Sequence, residues 1–171
     1  MRRVKIRPER DGEQAAIWKI NEEAFGRVVE ADLVDAIRAS DRFVPELSLV
    51  AEEGGELIGH VLLSYVRIEP GGHPVLQLGP LAVLPSHQGR GVGSALMRHA
   101  LRASDARKEP LILIEGNPRY YGKFGFERST RAGIEPPPGV SGEYFMARTL
   151  TAHDPALRGQ AIYSDAFLAA S

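Results

Sequence analysis

The segment Leu84-Pro85-Ser86-His87-Gln88-Gly89-Arg90-Gly91-Val92-Gly93-Ser94 sets glycines at positions 89, 91 and 93, directly ahead of an amphipathic stretch. Glycine lets backbone N–H groups converge on one point with no Cβ in the way. The first turn of a helix adds unpaired donors and the positive end of its dipole. Such a loop can cradle a pyrophosphate, and Arg90 can add a charge-assisted contact. The plain alternative is a glycine-rich turn that only starts a helix. A P-loop needs Lys and then Ser or Thr after its last glycine, and no Lys follows Gly93 here. A dinucleotide fingerprint comes nearer. Its third glycine is missed by one place, and Glu115 stands near the end of the following strand, where a ribose-binding acid would sit. Too little chain follows to complete that fold, and a meander of strands precedes the loop.

The elements that must hold this loop can be read from periodicity. Val4-Lys5-Ile6-Arg7 alternates and meets Pro8, a short strand. Asp11 can cap a helix running to Phe25, and a second helix is predicted over 30–40. Strands are predicted over 48–53 and 56–68, joined at Gly54-Gly55, and over 75–83 after the turn at 70–74. Residues 91–104 carry helical spacing, and Leu111-Ile112-Leu113-Ile114 reads as a strand buried on both faces. A short helix over 119–124, strands over 126–129 and 144–150, and a loop at 135–139 complete the pattern. Residues 151–171 read as an irregular tail with aromatic Tyr163 and Phe167. Meandering strands followed by a strand-helix-strand crossover predict an α/β fold: a mixed central sheet with helices on both faces.

A chain of 171 residues fits one domain, with residues 1–150 as its body and 151–171 packing on it. Apolar residues make up 43% and charged residues 25%, the mix of a soluble globule. The absence of cysteine excludes disulfides, a thiol nucleophile and cysteine metal sites, and is compatible with the cytoplasm. Net charge is −1, without the basic excess of a wide nucleic-acid face. Residues 1–80 hold 10 basic and 14 acidic side chains, and residues 81–171 hold 11 and 8. That asymmetry is either chance or an anion site in the second half. The basic N-terminus leads into no apolar targeting segment, and no apolar run is long enough to span a membrane.

At the glycine loop the sequence resembles the GNAT superfamily of N-acetyltransferases, and more broadly a bacterial subfamily of predicted N-acetyltransferases. Their phosphate loop reads Gln or Arg, two residues, Gly, one residue, Gly or Ala, here Gln88-Gly89-Arg90-Gly91-Val92-Gly93, after an apolar strand and a proline, Leu81-Ala82-Val83 and Pro85. The resemblance implies acetyl-coenzyme A, with its pyrophosphate on Gln88, Gly89, Arg90, Gly91, Val92, Gly93 and Ser94. The pantetheine arm would pair like an added strand with Leu81, Ala82 and Val83. Gly79-Pro80 in that strand suits a bulge or splay. A second match, Gly116-Asn117-Pro118-Arg119-Tyr120-Tyr121-Gly122-Lys123-Phe124-Gly125-Phe126, puts Tyr121 where the family often has a tyrosine, four residues before Gly-Phe. There Tyr121 would be the general acid that protonates the leaving thiolate. Asn117 and Tyr120 are assigned to the coenzyme's surroundings, Tyr120 as a wall. Further similarity lies in Ser48-Leu49-Val50-Ala51-Glu52, Gly59-His60-Val61, Tyr144-Phe145-Met146 and Ala161-Ile162-Tyr163.

The family's usual base is a glutamate on the strand before the loop, yet residues 75–83 contain no carboxylate or histidine. Glu115 is the first substitute, at a strand end beside the splay where burial is expected. Glu22 and Glu23 come next, and His60 and His73 after them. The expected reaction is transfer of an acetyl group to an amine, a small molecule first and a protein N-terminus or lysine second. No metal, nucleic acid or membrane is expected, and the assembly is a monomer or homodimer. A binding module that holds acetyl-coenzyme A without turnover is the rival reading.

Overall fold

The computed structural model describes residues 3–170. The chain runs β1 (Val4–Pro8), α1 (Gln14–Phe25), α2 (Val29–Arg38), β2 (Phe43–Glu53), β3 (Glu56–Glu69), β4 (His73–Val83), α3 (Val92–Ala106), β5 (Leu111–Glu115), α4 (Pro118–Tyr121), β6 (Glu127–Arg128), β7 (Ile134–Glu135), β8 (Phe145–Thr149), β9 (Gly159–Ile162) and α5 (Asp165–Ala169). The central sheet has the order β1-β2-β3-β4-β5-β8-β6. β4 and β5 pair in parallel, and every other neighbour on that path is antiparallel. The mixed sheet expected from the sequence is present.

Strand alternation sorts side chains into two layers. Leu49 and Ala51 of β2, with Val61 and Leu63 of β3, turn to the face covered by Leu96, Met97 and Ala100 of α3. Val50 and Leu62 turn the other way, onto Ile17 of α1 and Val34 and Ile37 of α2. Because both faces are covered, β2 and β3 read as nearly continuous apolar runs.

The segment after residue 150 departs from the expected irregular tail. β9 pairs with β3 at Arg67↔Ile162 and Ile68↔Ala161, on the side that β2 has vacated after Ser64. β7 pairs with β9 in parallel. Ala161 and Tyr163 join Val75, Leu113 and Phe145 in a third apolar cluster. The local pattern around 159–162 is too short to signal a strand, and only the open side of β3 selects it.

A buried polar chain ties the helices to the sheet. His60 on β3 is fully buried. Asn21 of α1 donates to His60 Nδ1 at 3.2 Å, so the ring proton sits on Nε2 and is given to Ser48 Oγ at 3.0 Å. The Ser48 hydroxyl in turn donates to Glu9, which Arg38 of α2 pairs at 2.9 Å. Burial, and secondarily the charge of Arg38, depress the His60 pKa from 6.5 to about 3. The fold therefore needs a neutral ring, while the unfolded chain takes up a proton below about pH 6.5. Stability is complete above that value and falls as pH drops toward about 3. His60→Gln can keep both contacts without titrating. Denaturant titrations at pH 7 and 4.5 should show a smaller acid loss in that variant than in the native chain.

Candidate active site

β4 and β5 share only the pairs Leu76↔Ile112 and Gln77↔Leu113. Beyond them the strands part. The register of β3 against β4 shifts between Leu63↔Leu78 and Val61↔Leu81, so Gly79 and Pro80 together oppose Leu62. This bulge bends β4 away from β5. Leu84 N–H bonds to the Ile58 carbonyl on the β3 side. By alternation, Leu81 and Val83 turn their backbone groups to the open edge, while Ala82 faces β3. β5 stays paired with β8 through Glu115↔Phe145. Between the strands lies a cleft of about 940 Å³, walled by Gly79, Pro80, Leu81, Glu115, Gly116 and Tyr121 among others.

A second hollow of about 260 Å³ lies at the end of β4, bounded by Val83, His87, Gln88, Gly89, Gly91, Val92, Gly93, Ser94 and Tyr120. Gly89 and Gly91 have φ of +75° and +84°, a left-handed backbone that strains any L side chain. Gly91 is the N-cap of the 15-residue α3, and no side chain among the described residues caps that end. The first N–H groups of α3 therefore face the hollow with the dipole's positive end. Gln88 folds back and donates to the Val83 carbonyl at 3.0 Å, fixing the loop to the strand. The Arg90 guanidinium pairs with Glu53 at 3.3 Å and is not among the residues that bound the hollow. His87, which the sequence reading passed over, does wall it, with Ser86 Oγ 2.8 Å from its Nδ1.

The tyrosine motif forms α4. Asn117 caps it by accepting the Arg119 N–H at 3.0 Å, and Pro118 takes the first helical position. The adjacent tyrosines serve different spaces. Tyr120 borders the glycine hollow and Tyr121 the cleft, their rings edge to face at 4.9 Å. Asn117 lies on the cleft side, not in the hollow. Burial, reinforced by Tyr120, pushes the Tyr121 pKa up to about 12, so the ring remains a phenol and a donor. The Tyr121 ring lies directly over Gly116, where a Cβ would come within 2.9 Å of Cδ2.

Of the residues considered as a base, Glu115 alone reaches the cleft, and it is exposed rather than buried. Its Oε1 accepts the Tyr163 hydroxyl at 2.6 Å. Glu22 and Glu23 pair with Lys19 at 2.7 and 3.9 Å, outside the cleft wall. His60 is sealed in the polar chain, and His73 is exposed at the start of β4. The sequence reading missed the opposite wall: Phe25, Arg27, Val29 and Glu30 around the α1–α2 junction, and Tyr163 and Phe167 near the end of the chain. Arg27 grips Glu30 with two bonds, at 2.9 and 2.5 Å. The apolar period of the helices and the resemblance at the end of α1 pointed toward that wall, and neither reveals which loop residues turn inward.

Residues 15–126 match the model of the acetyltransferase (GNAT) family. The uncharacterized N-acetyltransferase YjhQ of Escherichia coli is 32% identical over 84% of the chain and 82% of its own length. The crystal structure of YhbS, a GNAT family N-acetyltransferase of Escherichia coli in complex with CoA, superposes with a TM-score of 0.89 at 26% identity, covering 98% of this chain and 93% of that one. A GNAT family acetyltransferase from Brucella melitensis in complex with acetyl-CoA gives 0.80 at 32% identity, covering 96% and 98%. The overall fold is thus shared with acetyltransferase structures, and the chain belongs to the GNAT family. The dinucleotide reading falls with that membership, and the comparisons do not favour a module that binds without turnover.

Gly116→Ala would force the Tyr121 ring aside. We expect a loss of about 1–3 kcal/mol in denaturant titration, the usual cost of overpacking. An unchanged midpoint would mean that the ring has room to move.

Proposed function

We propose that the protein transfers an acetyl group from acetyl-coenzyme A to an amine. The observation that carries this is the uncapped, glycine-led start of α3 at the end of an open β4 edge, with a half-buried phenol beyond it. Those features fit the coenzyme in order. The N–H groups of Val92, Gly93 and Ser94 and the loop at Gln88, Gly89 and Gly91 would hold the pyrophosphate, with Tyr120 and His87 as walls. The open-edge backbone of Leu81 and the N–H of Val83, whose carbonyl Gln88 already occupies, would pair with the pantetheine amides. Bound acetyl-coenzyme A supplies an acyl group activated as a thioester.

The chain's own residues do the rest. Backbone N–H on the open β4 edge polarises the acyl carbonyl. Glu115 takes a proton from the acceptor ammonium, and the freed nitrogen bonds to the acyl carbon as the C–S bond breaks. Glu115 passes that first proton to solvent, Tyr121 gives its proton to the departing sulfur and is restored from solvent, and the second amine proton then leaves through the freed Glu115 carboxylate. A small amine is the first acceptor and a protein amine the second. Residues 151–170 act as part of the same catalytic unit, and a cysteine-free chain whose described helices are too short or too polar to cross a membrane suits the cytoplasm.

Acetyl-coenzyme A at a hundred times its dissociation constant should add about 2.7 kcal/mol. In thermal melts that is roughly 5–10 °C for a domain of this size. Coenzyme A should act alike and NAD should not; no shift with either coenzyme would end this reading. Tyr121→Phe should lower kcat by roughly a hundredfold, as expected of a lost general acid. Because the phenol titrates only near 12, kcat should rise with pH as the amine deprotonates and show no fall up to pH 10. A descending limb near pH 8 would exclude Tyr121 as the acid.

A further inference from the structure

The cleft has a polar neck and an apolar outer wall. At the neck, Tyr163 donates to Glu115 Oε1 at 2.6 Å. Tyr163 is only 8% exposed, stacked on Phe167 at 5.3 Å and edge-on to Phe145 at 6.2 Å, so its hydroxyl is aimed by packing. Burial, and then the bond to Glu115, hold that phenol well above the ordinary range, so it stays a donor. The bond engages one carboxylate oxygen and fixes the direction of the other. Gln77, beside the same phenol, is 2% exposed, and its Oε1 has no partner among the described residues.

The outer wall carries Phe25, Val29, Leu33 and Phe167. Phe25 and Val29 remain 40% and 37% exposed. Large apolar groups left open around a polar neck fit a ligand with one polar end. The charges at the rim do not invite a second cation. Glu30 is already neutralised by Arg27, and Arg119 adds a positive charge.

We propose that the acceptor is a primary amine carried on a compact apolar body, and that Tyr163 is a positioning residue that holds Glu115 toward it. This rests on the acetyltransferase reading above. The apolar body would lie on Phe25, Val29 and Phe167, and the amine would reach Glu115 at the neck.

The test compares 2-phenylethylamine, spermidine and a lysine-containing peptide as acceptors at saturating acetyl-coenzyme A. 2-Phenylethylamine should lead in kcat/KM by roughly tenfold or more, the discrimination an apolar pocket provides. Tyr163→Phe keeps the ring stack and removes only the hydroxyl. It should lower kcat/KM for the amine about tenfold and leave the KM for acetyl-coenzyme A unchanged. Added to Glu115→Gln, it should cost nothing more, because both changes break one unit. Preference for spermidine or the peptide, or losses that multiply in the double variant, would overturn this inference. Binding of acetyl-coenzyme A with no transfer to any amine would instead overturn the acetyltransferase reading.

Discussion

Two parallel strands that meet for two residues and then part determine the rest of this molecule. A sheet interior cannot leave N–H and C=O groups unpaired without a cost comparable to a lost hydrogen bond for each. Here the opening is tolerable because each strand is secured on its other side, β4 by β3 and β5 by β8. The bulge at Gly79 and Pro80 sets the direction of the parting. Each strand then delivers its succeeding helix to the gap, β4 leading to α3 and β5 to α4. Open α/β sheets place ligands at such carboxyl ends.

The glycine loop and the tyrosine motif were legible in the letters because their geometry is local. A glycine loop before a helix, and a tyrosine before Gly-Phe, each lie within a dozen residues, and neighbouring residues fix their geometry. Helical spacing located α1 and α3, and the apolar run located β5. Glu115 was named from its strand end, but the rest of the cleft wall was not legible, because no local rule links Phe25, Glu115 and Tyr163. They meet only because α1 and β9 attach to one β3 strand. The start of β2 at Phe43, rather than at Ser48, was hidden by Pro45 and Glu46, whose pattern does not alternate. Arg90 shows the limit of reading charge from a motif. The cation beside the glycine loop pairs with Glu53, a partner from the β2–β3 hairpin that sequence distance conceals.

Electrostatic roles divide along the same line. The anion end offers backbone donors and a helix dipole, which need no titratable group. The proposed reacting end would rely on phenols kept neutral by burial and on a carboxylate that one of them hydrogen-bonds. The polar chain through His60 lies behind both, holding α1 and α2 against the sheet so that the apolar wall keeps its distance from the neck.

The C-terminal segment crosses β3, supplies Tyr163, and ends its described path with Ala170 in the cleft wall. Any polypeptide joined after that point emerges beside the cleft. β1, by contrast, lies at the far edge of the sheet, three strands from β4. At about 4.8 Å per strand, that is roughly 14 Å from the gap. An affinity tag or fluorescent fusion placed ahead of β1 therefore leaves the cleft clear, whereas the same addition at the other end starts at the cleft wall.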